Sequence, residues 1–370
     1  VFTTINKADI ALEENSVFPS TITKTILLHD LGERLSNMIF GESDRFKSSI
    51  LGRTDLGYAQ DGKYGYVGTY CGHWLRNFNL GDELYKNFST SFKDYSNTLR
   101  AVLNISIGIE TRGFDEYVVA EPLTYFYNPN VVIVLPNQIT NVKRTVLTEH
   151  IYSGATIGYD KGGEYEEIMG LDEPNGRSNF ITNFTGVKNT YDQLSPYRAD
   201  VYGEEIQRRI QKENHPTEDA SADKDIFLKD MIMVNDIELG DYLRERVWQD
   251  DYIEAPEGIF SPETAKNLRL SPATNLRRHF WILATALYKY PSKYFSFGSS
   301  TANSGMVTKP DASTIIGEKG SFTNNLLGDP LFEAEEIEFD HIVSNDLLTQ
   351  IKGSTTFSGQ AVPNYYCKVQ

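Results

Sequence analysis

The sequence predicts an α+β protein made mostly of antiparallel β domains with a few amphipathic helices. Aromatic residues make up 12% of the 370 residues, with 22 Tyr and 20 Phe, and such side chains suit the half-buried surface of a pleated sheet. A long middle stretch is rich in Ile, Val, Thr and Tyr and is interrupted by turn residues, as expected for consecutive strands. Apolar residues at helical spacing are confined to short segments.

The first predicted element is an amphipathic helix over residues 19–41. Apolar residues recur from Ile22 to Ile39 with a spacing that places them on one helical face. Ser20 is a residue type that commonly caps a helix N-terminus, and Gly41 is a residue type that commonly ends one. A second helix is predicted over residues 90–105.

The glycine-rich segment between these helices does not have the spacing of a nucleotide-binding loop. Six glycines fall between positions 52 and 72 with tyrosines among them, but neither the dinucleotide fingerprint nor the P-loop pattern occurs. Glycines in such a segment allow turns or close packing of the backbone.

Strands are predicted from residue 105 to about residue 235, followed by helices over 236–248 and 271–291 and by further short strands. This order of predicted elements divides the chain into a mixed α/β region (1–110), a β-rich domain (111–235) and a helix plus β-rich C-terminal domain (236–370). Because the chain begins at Val1 rather than Met, we expect it to be a fragment of a longer protein.

Charge and cysteine content exclude several classes of function. The formal net charge is −16 and the sequence pI is about 4.9, so the field of the protein repels phosphate backbones and no nucleic-acid partner is expected. No apolar run reaches the ~18–20 residues of a membrane helix, so no membrane insertion is expected. Cys71 and Cys367 are predicted to be separate thiols, because two cysteines do not make a disulfide framework.

An acidic, glycine-containing segment at residues 153–180 leaves three interpretations open: a calcium loop, the acid–base pair of a glycosidase, or a solvated connection between strands. A calcium site needs several oxygen ligands, although the EF-hand pattern is absent. Weak calcium candidates are Asp160, Asp172 and Glu173 in this segment and Asp219, Asp223 and Asp225 in the segment 219–225. No other cofactor is predicted.

No catalytic residue is predicted, because the sequence carries no catalytic motif. The nucleophile-elbow and zinc-protease patterns do not occur. Cys71 and His73 are two positions apart, and that spacing alone does not indicate a catalytic dyad. A glycosidase needs two carboxylates at a set separation, which cannot be identified among 51 acidic residues.

Four segments give the chain a resemblance to uncharacterised structural proteins, tail-hub or baseplate-like, of Bacteroidetes-type phages and prophages. They are residues 72–110, 155–209, 270–306 ("LSPATNLRRHFWILATALYKYPSKYFSFGSSTANSGM") and 326–339 ("LLGDPLFEAEEIEF"). The resemblance lies in the residue types of these segments and in their order along the chain, and it includes no catalytic motif.

The resemblance implies a non-enzymatic structural component of a phage-like virion, in the tail hub, baseplate or head–tail region. Its partners would be copies of itself, as a trimer or hexameric ring, and other virion proteins, with assembly in the bacterial cytoplasm. Arg198, Arg208 and Arg209 are the predicted interface residues, since arginine suits pairing with carboxylates of a neighbour. Two alternatives stay open: a secreted or surface β-rich carbohydrate-binding protein, and a hydrolase whose acidic pair the sequence does not identify.

Overall fold

The structure is a computed structural model. It describes residues 21–78, 88–135, 139–160, 167–168, 171–172, 177–182, 186–199, 207, 210, 213, 222–230, 232–233, 243–248, 278–279, 282–283, 294–297, 307–308, 316–317, 322–323, 332–357 and 359–369. The predicted fold class is confirmed, since the chain is a β-rich α+β protein with mostly antiparallel sheets.

Helices are short and strands predominate in the described ranges. The helices are α1 (Leu28–Phe40), α2 (Gly72–Leu75), α3 (Phe92–Thr98), α4 (Leu123–Phe126) and α5 (Asn345–Lys352). The strands are β1 (Thr21–Leu27), β2 (Phe46–Lys47), β3 (Val67–Cys71), β4 (Ile105–Arg112), β5 (Asp115–Pro122), β6 (Asn128–Ile133), β7 (Thr140–Val146), β8 (Gly154–Tyr159), β9 (Glu167–Ile168), β10 (Leu171–Asp172), β11 (Ser178–Thr182), β12 (Thr190–Ser195), β13 (Ile226–Asp230), β14 (Ile232–Met233), β15 (Leu243–Trp248), β16 (Tyr294–Phe297), β17 (Val307–Thr308), β18 (Ile316–Gly317), β19 (Phe322–Thr323), β20 (Glu335–Asp340), β21 (Ser354–Phe357), β22 (Gln360–Pro363) and β23 (Cys367–Val369).

A five-stranded sheet in the order β13-β3-β1-β15-β14 corrects two sequence predictions. The predicted first helix is a strand up to Leu27, because its first third is rich in the β-branched residues Thr and Ile, which favour extended backbone. The predicted helix over 236–248 is wrong in its second half, since β15 pairs antiparallel with β1 from Thr21↔Trp248 to Ile26↔Leu243. Tertiary pairing therefore overrides the helical spacing of both segments.

The predicted helix end at Gly41 is confirmed, whereas the predicted cap at Ser20 is wrong, because Leu27 occupies the N-cap position of α1. Gly41 adopts a left-handed φ of 73° and its N–H donates to the Asn37 carbonyl at 2.8 Å, which ends α1. Helix α3 begins at Ser91, whose side chain accepts the N–H of Asp94 at 3.1 Å, and a π-helical turn (Leu99–Leu103) continues it. The predicted helix over 271–291 lies mostly outside the described residues.

A second sheet, in the order β2-β5-β4, is buried on both faces along residues 118–121 of β5, and we call it the double-faced sheet. Alternate residues of β5 point to opposite sides: Val118 and Ala120 join the main core with α1, α3 and β3, whereas Val119 packs with Tyr125 and Val362 in a smaller cluster. This sheet therefore connects the N-terminal core with the C-terminal segment of β21, β22 and β23.

The other sheets combine strands from distant parts of the sequence. One five-stranded sheet has the order β12-β8-β11-β16-β19, and smaller pairs are β23-β6, β20-β7, β21-β22, β10-β9 and β17-β18. Strand pairing crosses both predicted boundaries, at 110/111 and 235/236, in the β4-β5, β15-β1 and β20-β7 pairs. The three-part division into domains stays a prediction.

Candidate functional site

The antiparallel pair of β7 and β20 is exposed along nearly all of its length, and we call it the exposed ribbon. Its register runs from Glu335↔Val146 to Glu338↔Lys143, and a bulge follows between Glu338 and Asp340. All seven residues of β7 are exposed, as are five of the six in β20. A two-stranded ribbon without packing on its faces is marginal in water.

One face of the exposed ribbon is apolar. Val142 and Val146 on β7 are 50% and 57% exposed, and Ile337 and Phe339 on β20 are 48% and 39% exposed. Alternation along each strand places these side chains on the same face, where Arg144 lies opposite Ile337 and Glu335 lies opposite Val146. A contiguous exposed apolar surface of this kind is typical of an interaction site.

The opposite face is polar and is held together by cross-strand contacts. The Lys143 Nζ lies 3.1 Å from Glu338 Oε2, and the side chain of Asn141 donates to Asp340. Both charged side chains of the first pair are more than half exposed, so this pair fixes the register more than it stabilises the fold.

The base of the ribbon is attached to the body of the protein. The Leu147 N–H donates to the Ala334 carbonyl at 2.9 Å, and the ring of Phe332 stacks on Tyr127 with centroids 5.6 Å apart. His150 contacts the same phenyl ring edge-on. The exposed ribbon is therefore anchored at one end, while its faces lie in solvent.

A cleft of about 630 Å³ lies beside α1. Its walls come from α1 and from the loops around β2 and Tyr58; they include His29, Glu33, Asp44 and Phe46. His29 Nε2 lies 3.0 Å from the Tyr58 hydroxyl, which accepts the N–H of Ser48 at 3.1 Å. Burial, followed by the positive charge of nearby Arg53, lowers the pKa of His29 to about 4.

The charged groups of this cleft are engaged within the protein. The Glu33 carboxylate accepts the backbone N–H groups of Asp44 and Phe46, the latter at 3.0 Å. Lys47 forms an ion pair with Asp44. These bonds hold the loop at residues 42–47 against α1, which indicates a structural role for the polar lining.

Two of the predicted calcium ligands lie in buried ion pairs. Asp223 is 2% exposed and accepts two hydrogen bonds from Arg76 Nη1, at 2.7 and 2.6 Å, and one from Gln207. Asp225 is 6% exposed and lies 3.2 Å from Arg198 Nη1. Both carboxylates thus neutralise buried guanidinium groups, which attach the segment 222–230 to the core.

The remaining calcium candidates lie apart from these or outside the described residues. Asp160 follows β8 at an exposed turn, where its N–H donates to the Ser195 carbonyl. Asp172 ends the short hairpin β9-β10 opposite Glu167. Glu173 and Asp219 lie outside the described residues. Across the described ranges no group of three or more His, Cys, Asp or Glu side chains is arranged to hold a metal ion.

Of the three predicted interface arginines, the structure places only Arg198, and it corrects that prediction. The Arg198 side chain is 1% exposed and lies over the rings of Tyr159 and Phe227 beside Asp225. It therefore pairs within its own chain, because the parallel bridge between Arg198 and Phe227 draws it into the core. Arg208 and Arg209 lie outside the described residues.

Two buried carboxylates on the double-faced sheet were not singled out by the sequence. Glu110 accepts the Tyr125 hydroxyl at 2.7 Å and Arg112 Nη2 at 2.9 Å. Glu121 accepts the N–H of Ser49 at 2.6 Å and its hydroxyl at 2.8 Å. Burial raises the pKa of Glu121, and Glu110 adds to this effect. Both carboxylates are engaged in bonds that join β4 and β5 to neighbouring segments.

The two cysteines are free and buried. Burial raises the pKa of Cys71 to about 12, so the thiol is protonated at neutral pH and is not an activated nucleophile. Burial also raises the pKa of Cys367, whose Sγ lies 3.7 Å from the Pro363 carbonyl.

Comparison with protein-family models, curated proteins and solved structures found no match to this chain. No helix within the described part of the chain has the length and apolar character needed to cross a membrane.

Sequence reasoning missed the exposed ribbon, although a signal was present. The segment "EEIEFD" alternates apolar and polar residues, "TNVKRTV" has Val142 and Val146 on one side of the strand, and the two segments carry opposite charge. Alternation of this kind predicts a strand with one apolar face. Their pairing over nearly 200 positions could not be read from either segment alone.

Proposed function

We propose that this protein is a non-enzymatic structural component of a phage-like virion, in the tail hub, baseplate or head–tail region. It binds copies of itself, as a trimer or hexameric ring, and other virion proteins. The particle is assembled in the bacterial cytoplasm. The proposal joins the segment resemblance with one feature of the structure, the exposed ribbon.

The exposed ribbon supports an assembly role because it leaves an apolar strand surface in solvent. Natural proteins usually protect long exposed strand edges, since the unpaired N–H and C=O groups bind other strands. Here Val142, Val146, Ile337 and Phe339 add an apolar face to such edges. A partner that covers this face buries surface that folding of the single chain leaves exposed.

The interior supports a structural rather than a catalytic role. The acidic residues with the strongest burial, Glu110, Glu121 and Asp223, each accept hydrogen bonds that link separate segments. Such bonds rigidify a body that has to keep its shape inside an assembly. The proposed role requires neither a catalytic residue nor a cofactor.

The test is the presence of the chain in particles. A phage or prophage that carries this gene is induced, and its particles are purified on a density gradient. Peptide mass spectrometry then measures the amount of this chain relative to the other structural proteins. We expect a fixed ratio in every particle fraction, whereas recovery of the chain only in the soluble lysate would overturn the proposal.

A further inference from the structure

The two strands of the exposed ribbon carry opposite charge. Strand β7 contributes Lys143 and Arg144, and β20 contributes Glu335, Glu336, Glu338 and Asp340. Among the described residues each strand has one ladder partner, so the sheet consists of β20 and β7 alone. One outer edge of the ribbon is thus basic and the other is acidic.

We infer that the ribbons of adjacent copies join edge to edge, with β7 of one copy beside β20 of the next. This inference rests on the proposed assembly function and names the surface and the partner, a second copy of this chain. Pairing of this kind extends one sheet from copy to copy, because the backbone groups at one edge bond to those at the other.

Charge complementarity selects this arrangement over pairing between identical strands. If β20 met β20, the carboxylates of Glu336, Glu338 and Asp340 would face their own copies, and like charges on neighbouring strands are destabilising. If β7 met β7, Lys143 and Arg144 would do the same. Pairing β7 with β20 places basic side chains beside acidic ones at each contact.

The apolar face favours the same arrangement. Val142 and Val146 of one copy would lie next to Ile337 and Phe339 of the adjacent copy, so the apolar surface becomes a continuous strip. Because the two joined edges differ, the contact is heterologous. A heterologous contact gives a ring when its rotation closes and an open filament when it does not, and the proposed trimer or hexameric ring requires the closed case.

The test uses a charge-swapped full-length chain, with Lys143→Glu, Arg144→Glu, Glu336→Lys and Glu338→Lys. The swap keeps the attraction between positions 143 and 338 within each ribbon. It also keeps the attraction between copies of the variant. Contacts between the variant and the wild type become acidic beside acidic, or basic beside basic.

Wild type and variant carry different fluorophores, and energy transfer between them is measured after mixing, with differently labelled wild-type samples as the reference. We expect each protein to assemble with itself and transfer between the two proteins to fall about tenfold or more, because like-charge contacts exclude a wrong partner. Undiminished or increased transfer would overturn the inference, because pairing between identical strands predicts attraction after the swap.

A wild-type chain that stays at 41.9 kDa with no transfer between copies would also overturn the inference. The particle measurement above decides the proposed function separately. If the fourfold variant fails to fold, the two-position swap of Lys143→Glu with Glu338→Lys repeats the test with fewer changes.

Discussion

The double-faced sheet of β2, β5 and β4 and the exposed ribbon of β7 and β20 differ in what covers them. In the first sheet Val118 and Val119 are 4% and 1% exposed, on opposite faces. In the exposed ribbon Val142 and Val146 are at least half exposed. Residue propensity therefore accounts for strand formation in both sheets, whereas burial decides which of the two sheets stabilises the isolated chain.

Buried charge gives the largest expected difference between the two regions. Asp223→Asn should lower the free energy of unfolding by about 3–5 kcal/mol, because it leaves the buried guanidinium of Arg76 without its counter-charge. Urea denaturation followed by circular dichroism measures this loss.

The matched control for this prediction lies in the exposed ribbon. Glu338→Gln removes the partner of Lys143, an exposed pair, and should cost about 1 kcal/mol or less. Equal losses for the two substitutions would contradict the assignment of Asp223 to a buried structural ion pair.

Lowering the pH from 6.5 toward 4 should destabilise the buried interior before it affects the exposed ribbon. Burial is the main cause that lowers the pKa of both His29 and His279 to about 4 from an ordinary value of 6.5. The unfolded chain therefore binds more protons between these pH values. The stability from these two residues is complete above pH 6.5 and is lost as the pH falls toward 4.

The substitution His29→Gln tests this pH dependence. The amide keeps a hydrogen-bonding group near Tyr58 but does not titrate, so the fall in stability between pH 6.5 and 4 should shrink by about 3 kcal/mol, at ~1.4 kcal/mol per pKa unit. Urea midpoints across this range measure the change. An unaltered slope would show that His29 is not buried as a neutral imidazole.

The same substitution placed in both sheets gives a smaller but direct comparison. Val119→Ala should lower the free energy of unfolding by about 2 kcal/mol, because two buried side-chain carbons are lost and a cavity remains. Val142→Ala should change the free energy of unfolding of the monomer by about 0.5 kcal/mol or less, because the side chain is half exposed. Similar costs at the two positions would mean that the ribbon is covered within its own chain.

The sequence predicted the fold class, the end of α1 at Gly41 and a helix within residues 90–105, because these follow from local periodicity and from a C-terminal glycine. It did not predict that residues 243–248 pair with β1, since a strand partner more than 200 positions away leaves no local trace. Arg198 was predicted to lie at an interface because of its residue type, and only the fold shows that Asp225 neutralises it in the core.

The central claim is that the exposed ribbon mediates assembly, and the most direct measurement is the mass of the chain in solution with and without its apolar face. Light scattering of the wild type should give a multiple of 41.9 kDa. The variant Val142→Thr with Ile337→Thr, which keeps β-forming residues in both strands, should give a monomer with the circular dichroism spectrum of the wild type. Equal masses for the two proteins would contradict the claim.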